Sequence, residues 1–306
     1  MKGCSRFLNQ KALESNHIFF RKALINNKRN GIKNFMTQDL YEAVASVRAK
    51  TSLSPEIAII LGSGLGPLAD EIKPDASIAY KDLPGFATST APGHEGKLIL
   101  GTLAGKSVVA MKGRIHYYEG YSAQQTTFPV RVMNALGAKT LLVSNACGGL
   151  NPNWQAGDLM LQLDYINFTG DNPLVGHNDE SVGPRFTVMF DCYDNEYQEL
   201  ARQTARQENI LLREGVYLAI SGPTYASRAE LRMFRNLGAD TIGMSTVHEV
   251  MVARHLGMRV LGLSAVTDMA LPDSHHEHAT GEQVVAMANQ IGTTFRHLVK
   301  SILERM

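Results

Sequence analysis

Apolar residues recur along this chain in two rhythms. Short, nearly continuous runs rich in Val, Ile and Leu occupy Ile57–Leu61, Leu98–Leu103, Val108–Met111, Thr140–Val143, Leu159–Leu163, Val216–Ile220 and Arg259–Val266. Between several of them apolar positions return every third or fourth residue, which predicts helices over Val130–Leu136, Glu196–Glu208, Ala229–Leu237 and Val247–Leu256. A last long helix is predicted over about Glu282–Glu304, with Val284, Ala288, Ile291, Phe295, Leu298 and Ile302 on one face. A first one carries Leu40, Val44 and Val47, with Thr37 as its expected N-cap and Asp39 in its first turn. Runs that are apolar at every position predict strands buried on both faces. Their alternation with helices predicts a single α/β domain, a central mixed, mainly parallel sheet flanked by helices. The Leu98–Met111 pair, joined through Ala104-Gly105-Lys106, reads as an antiparallel hairpin within that sheet.

Composition narrows the classes of function. No apolar run approaches the roughly 18 residues that a membrane span needs. Cys4, Cys147 and Cys192 are too few for a disulfide framework, which points to a reducing compartment, the cytoplasm. The formal charge of +1 offers no global attraction for nucleic acid. That average conceals a split. Residues 1–36 hold eight basic residues against Glu14 alone, a net of +7, which leaves −6 on residues 37–306. This leader has no apolar core of the length a secretory signal requires, and is expected to be disordered or processed, with residues 37–306 forming the domain.

In open α/β sheets, ligands bind beyond the carboxyl ends of the strands. Six apolar runs are followed there by small, hydroxyl-bearing or ionic residues: Gly62-Ser63-Gly64-Leu65-Gly66, Lys112 to Gly120, Ser144 to Gly149, Ser221 to Tyr225, Met244-Ser245-Thr246 and Thr267-Asp268. That concentration predicts one composite site. Glycine backbone in the first cluster can turn N–H groups toward an anion, although neither a P-loop nor a dinucleotide fingerprint is complete. Arg114 and His116 alternate along an extended segment, so both can face one ligand. The planar fork of arginine suits phosphate or carboxylate oxygens. Ser63, Arg114, His116 and Ser245 together describe an oxyanion site. Gly-x-Ser-x-Gly is absent, Cys147 reads as a small wall residue, and His275-His276-Glu277-His278 lacks metal-ligand spacing, so no metal is expected.

Several motifs, in order over about residues 55 to 300, resemble the trimeric purine nucleoside phosphorylases. They are GSGLG at Gly62–Gly66, Pro92-Gly93-His94, the Lys112–Tyr121 stretch, TFPVRV from Thr127, NACGGLN from Asn145, GPTY from Gly222, and Gly243–Gly257. The resemblance implies attack of orthophosphate, as co-substrate, on C1′ of a purine nucleoside, releasing base and ribose 1-phosphate without a metal or organic cofactor. It implies that Ser63, His94, Arg114, His116, Ser245 and the backbone at Ala146 hold phosphate. Tyr118 and Met244 would contact the ribose, Tyr225 would cover the base, and Asp268 would address the purine edge. His116 and Asp268 are the catalytic candidates. A homotrimer is implied, in which an aromatic residue of a neighbour closes over the sugar; Phe168 is the candidate for that role.

Three positions depart from the family pattern. Ala226 stands where a Glu selects guanosine and inosine, Asp268 where an Asn reads the 6-oxo group, and Gly281 where a His meets the 5′-hydroxyl. The stretch Tyr225–Glu230 is instead similar to 5′-methylthioadenosine phosphorylases. An ionised Asp268 would repel the two acceptors O6 and N7 of a 6-oxopurine. It can accept from a 6-amino group and, when protonated on its other oxygen, donate to N7. The expectation is a purine nucleoside phosphorylase of purine salvage tilted toward 6-aminopurines. A 5′-methylthioadenosine phosphorylase is the alternative, with a nucleoside hydrolase and a non-catalytic nucleoside-binding protein behind it. A chain begun at Met36 is expected to keep full nucleoside turnover, and a large loss would show that the basic leader belongs to the enzyme.

Overall fold

A computed structural model describes residues 35–91, 94–272 and 280–306. Nine strands and six helices make up its frame. The helices are α1 (Phe35–Arg48), α2 (Ala123–Ala135), α3 (Asn195–Gln207), α4 (Arg228–Asn236), α5 (Val247–His255) and α6 (Gly281–Arg305). The strands are β1 (Ile57–Ile60), β2 (Lys73–Ala79), β3 (Lys97–Leu103), β4 (Lys106–Lys112), β5 (Thr140–Gly149), β6 (Leu159–Asn167), β7 (Leu212–Ala219), β8 (Thr241–Gly243) and β9 (Arg259–Met269). They form one sheet in the order β2-β3-β4-β1-β5-β8-β7-β6-β9, and β9 returns to pair with β5. Half of the sheet therefore closes on itself through β5. The pairs β1–β4, β1–β5, β5–β9, β6–β7 and β7–β8 are parallel, as expected of the apolar runs. The predicted β3–β4 hairpin is present and antiparallel, turning at Ala104 and Gly105, both with positive φ.

Alternation along β1 shows how both faces are filled. Ala58 and Ile60 enter one core with Val47, Met111, Val130 and Val250, whereas Ile57 and Ile59 enter the other with Phe295, Leu298 and Ile302. Helices α1, α2 and α5 thus cover one side, and α6 the other. The apolar stripe of α6 was legible because its period is unbroken, and its start is fixed by a capping box between Thr280 and Gln283.

Four sequence expectations need correction. Helix α1 opens at Phe35, so Thr37 lies inside it and is not its N-cap, and the boundary drawn at residue 37 falls within the helix. Residues 1–34 and the His275–His278 cluster lie outside the described residues. Helix α2 begins at Ala123, not Val130, on a Ser122–Gln125 capping box, and it accommodates Pro129 internally. That proline disguised the first two turns. Strand β2 was missed because it is a polar edge strand with Pro74 and Asp75, where only Ile78 is buried. Strands β5 and β9 run on past Val143 and Val266 to Gly149 and Met269. Their polar ends line a cleft, so the apolar pattern stops before the hydrogen bonding does.

Glycine is needed where the first loop meets α6. Gly64 has φ +73°, and a Cβ there would lie 2.3 Å from the Ala288 Cβ. Gly64→Ala is expected to cost about 3 kcal/mol of unfolding free energy, from backbone strain together with overpacking. Gly105→Ala, with φ +79° but nothing within 4 Å, should cost only about 1 kcal/mol. Equal losses in denaturant unfolding would show that the contact with α6 is unimportant.

Candidate active site

The carboxyl ends of β1, β4 and β8 meet the extended ends of β5 and β9 around one cleft. Close backbone approach makes this convergence possible. A Cβ at Gly62 would sit 2.6 Å from the Asn145 Cα, so β1 can lead Ser63 directly past β5. Gly113 has φ +96°, and a Cβ there would collide with His94. Freed of that obstacle, the Arg114 backbone N–H donates to His94 Nδ1 at 2.6 Å. Nδ1 is thus an acceptor, which leaves the proton of the neutral ring on Nε2, 3.0 Å from Ser63 Oγ. Burial, reinforced by His116 and Arg114 nearby, pushes the His94 pKa down to about 3. His94 therefore stays neutral at physiological pH and holds Ser63 from behind.

Arg114 is only 1% exposed. Its Nη1 donates to Ser245 Oγ at 2.6 Å and Thr246 Oγ1 at 3.0 Å, and its Nη2 to the Ser144 carbonyl at 2.6 Å. The fork expected to reach straight for an anion is thus largely committed to protein acceptors. Its Nε edge lies 3.4 Å from Glu249 Oε1. Burial raises the Glu249 pKa while the Arg114 charge pulls it down, and burial prevails. His116 stacks on Tyr118 at 4.7 Å between ring centroids and meets His94 edge-on at 5.0 Å. Its backbone N–H donates to Glu119 Oε1 at 2.6 Å, and the Thr90 hydroxyl donates to Glu119 Oε2 at 2.7 Å. Burial acts to raise the Glu119 pKa, but hydrogen bonds from His116 and Thr90 outweigh it and hold the carboxylate at about 2.

The opposite end is apolar with one carboxylate. A bulge opposes Cys147 and Gly148 of β5 to Val266 and Asp268 of β9, leaving Thr267 as the extra residue. This re-aims Asp268 into the cleft. The Thr267 hydroxyl lies 3.2 Å from the Cys147 carbonyl and 3.1 Å from Asp268 Oδ1. Tyr225, Ala226, Leu231, Ile242 and Ala270 form the surrounding wall. Cys147 is buried there, and burial beside Asp268 pushes its thiol up to about 12, which removes it as a nucleophile.

Ten of the predicted residues line this cleft: Ser63, Arg114, His116, Tyr118, Ala146, Tyr225, Ala226, Met244, Ser245 and Asp268. His94 joins them from behind through Ser63. Gly281 does not line it. It is the first residue of α6, and Val284, one turn on, forms that part of the wall. Asn145, Thr246 and Glu119 fell within the predicted strand-end segments but were given no role of their own, and Glu249 lay outside them. Glu249 left a signal, because a carboxylate within a helix buried at almost every position must find a cation. Thr246 left none, since its φ of +74° is invisible in its residue type.

A single α/β domain with a cleft at its strand ends, polar at one end and apolar at the other, is the class that fold and site define. The sequence model described as the phosphorylase superfamily matches residues 56–304. Purine nucleoside phosphorylase 1 of Bacillus subtilis (strain 168) is 47% identical over 273 residues, covering 88% of this chain and 98% of that one. The Bos taurus purine nucleoside phosphorylase is 43% identical, covering 87% of this chain and 94% of that one. Among solved structures, Schistosoma mansoni purine nucleoside phosphorylase with adenosine superposes with a TM-score of 0.82 at 40% identity, covering 88% of this chain and 97% of that one. A Schistosoma mansoni purine nucleoside phosphorylase with inosine gives 0.83 at 39%, with 88% and 96% covered. The chain belongs to the phosphorylase superfamily, among its purine nucleoside phosphorylases.

Buried neutral histidines give this site a pH signature. An unfolded histidine takes up a proton below about pH 6.5, whereas folded His94 does so only near 3. The unfolded chain binds more protons throughout that window, so stability falls as pH falls through it. Between pH 7 and 5, His94 alone should account for about 2 kcal/mol of lost stability. The Glu119 contribution lies lower, lost only as pH falls from about 4.5 toward 2. In urea unfolding, His94→Asn should lose about 2 kcal/mol less than the parent between pH 7 and 5, and an unchanged slope would contradict it.

Proposed function

We propose that this chain cleaves purine (deoxy)ribonucleosides with phosphate, giving the free base and (deoxy)ribose 1-phosphate. The observation that carries the reading is the polarity of a single cleft. One end is built from Ser63, Arg114, His116 and Ser245, and the other is an apolar wall with Asp268. Phosphate held at the first end faces C1′ of a sugar that develops positive charge as the bond to N9 breaks. A phosphate oxygen forms the new bond to C1′, and the departing purine keeps the bonding pair and acquires a proton. Asp268 assists departure by hydrogen bonding at the purine edge, and the phosphate anion stabilises the oxocarbenium-like sugar. Phosphate being the nucleophile, no carboxylate pair is required, and no metal or organic cofactor enters the scheme. A hydrolase would have no use for the anion end.

The base preference rests on Ala226 and Asp268. The stretch Tyr225–Glu230 resembles methylthioadenosine phosphorylases, but Ser227 and Glu230 form a capping box that starts α4. Those two residues report helix chemistry, not substrate. Relatives of about 40% identity have been seen with adenosine and with inosine, so the fold alone does not choose the base. Asp268 favours a 6-amino donor. The alternative, methylthioadenosine as substrate, is favoured by apolar Val284 in the cleft wall.

Self-association into a homotrimer is the quaternary arrangement we propose. Phe186 and Phe190 are each 86% exposed, with Val175 and Val188 exposed between residues 175 and 190, an apolar surface of the kind that partners cover. Phe168, packed edge-on against Phe234 yet half exposed, remains the candidate to close over a neighbour's sugar. Cytoplasmic location rests on cysteine usage.

Assaying adenosine, methylthioadenosine, inosine and guanosine side by side, with and without phosphate, tests the reading. Turnover should require phosphate and favour the 6-amino substrates. Product formation unchanged without phosphate would make the chain a hydrolase, and binding without turnover would make it a non-catalytic nucleoside-binding protein. Asp268→Asn should raise the ratio of inosine to adenosine turnover at least about tenfold, by replacing an acceptor with a donor opposite O6. An unmoved ratio would remove Asp268 from base selection.

A further inference from the structure

Thr246 is 1% exposed, and its backbone holds φ +74° and ψ −52° at the start of α5. For a β-branched residue this is a costly conformation, kept only where surrounding contacts enforce it. Three polar atoms surround its Oγ1. Arg114 Nη1 lies at 3.0 Å, Asn145 Nδ2 at 2.8 Å and Ser245 Oγ at 3.1 Å. The first two are donors only, so both acceptor positions of the Thr246 oxygen are occupied. Its own hydrogen must then go to Ser245 Oγ. That oxygen already accepts from Arg114 Nη1 at 2.6 Å. With both of its acceptor positions filled, Ser245 has one direction left for its hydrogen, the cleft that it lines.

We propose that Thr246, its second acceptor position filled by Asn145, is a positioning residue for phosphate, forcing the Ser245 hydroxyl to present its hydrogen to the anion. Without this arrangement the Ser245 hydroxyl could rotate and turn a lone pair toward the incoming negative charge. Arg114 acts on the anion in part through the same two hydroxyls, which accounts for its fork being spent on protein acceptors. The proposal rests on the phosphate reading of this end of the cleft. It adds a residue that lies outside the cleft wall and touches no substrate.

The test is a double-mutant cycle on the full chain. Thr246→Val should raise the KM for phosphate about tenfold or more, the scale of one hydrogen bond to a charged group. The KM for nucleoside at saturating phosphate should stay within about twofold. Thr246→Ser, which keeps the hydroxyl, should restore the phosphate KM to within about threefold of the parent. In a Ser245→Ala background, Thr246→Val should have almost no further effect, because the group through which it acts is gone. An unchanged phosphate KM in Thr246→Val, a full loss persisting in the Ser245→Ala background, or failure of Thr246→Ser to rescue would each overturn the proposal. Should Thr246→Val not fold, Thr246→Ser against the Ser245→Ala pair decides it: a phosphate KM raised tenfold by Thr246→Ser alone overturns it, and one within threefold supports it. Parental turnover that ignores phosphate would instead overturn the phosphorylase reading itself.

Discussion

A guanidinium taken out of water is the constraint around which this molecule is arranged. Removing a charge of that size from water costs several kcal/mol even after relaxation, and the cost is offset only by good hydrogen bonds and a nearby countercharge. Arg114 obtains both, from elements that are distant in the sequence. Ser144 comes from β5, Ser245 and Thr246 from the turn after β8, and Glu249 from α5. Each must be in register for the charge to be tolerated, so the sheet order, the start of α5 and the exit of β4 are coupled through one side chain. The same coupling makes the site preorganised. Its side chains are held in place by the fold rather than by a ligand.

Strand β5 makes such convergence geometrically possible. Its first half pairs with β1, its last residues pair with β8, and β9 accompanies it throughout. Consecutive residues of this one strand therefore serve different purposes. Leu141 and Val143 are core, Ser144 accepts from Arg114, Asn145 donates to Thr246, and Gly148 admits Asp268 across the bulge. The anion end and the base end are set a fixed distance apart by the rise of a single strand, which suits two substrates that must meet at one carbon atom.

The sequence disclosed this unevenly, for physical reasons. Core elements such as β1, β4 and α6 were legible because a continuous apolar run suits a strand buried on both faces, and an unbroken 3.6-residue period suits a helix with one face buried. The polar end of the cleft was legible as a place through residue type, since Arg114, His116 and the serines stand at strand ends, and the cleft lining brings them together. Strand β2 escaped because an exposed edge carries no apolar period. The first half of α2 escaped behind Pro129. Gly281 was placed by alignment across a shortened loop, and Val284, one turn on, is the residue of α6 that lines the cleft. Least legible were the residues behind the site. Thr246 and Asn145 matter through hydrogen positions and a backbone angle, neither of which leaves a mark in residue type or spacing.

The two ends of the cleft also differ in how freely they can change. At the polar end Arg114 donates to Ser245, Thr246 and Ser144, and His94 pairs with Ser63 and with the Arg114 backbone, so a substitution at any one of Ser63, His94, Arg114 or Ser245 removes a partner from another polar group. Stranding a buried partner costs more than the bond itself contributes. The base end has one carboxylate, small residues such as Ala226 and Ala270, and a half-exposed Tyr225. A change there leaves fewer buried polar groups without a partner than one at the polar end does. Ala226 and Asp268 are therefore freer to vary than Arg114 is. The net charge of −6 on residues 37–306 is no obstacle to a dianion under these conditions. Oriented donors act over a few ångströms, where the average field of the surface has little weight.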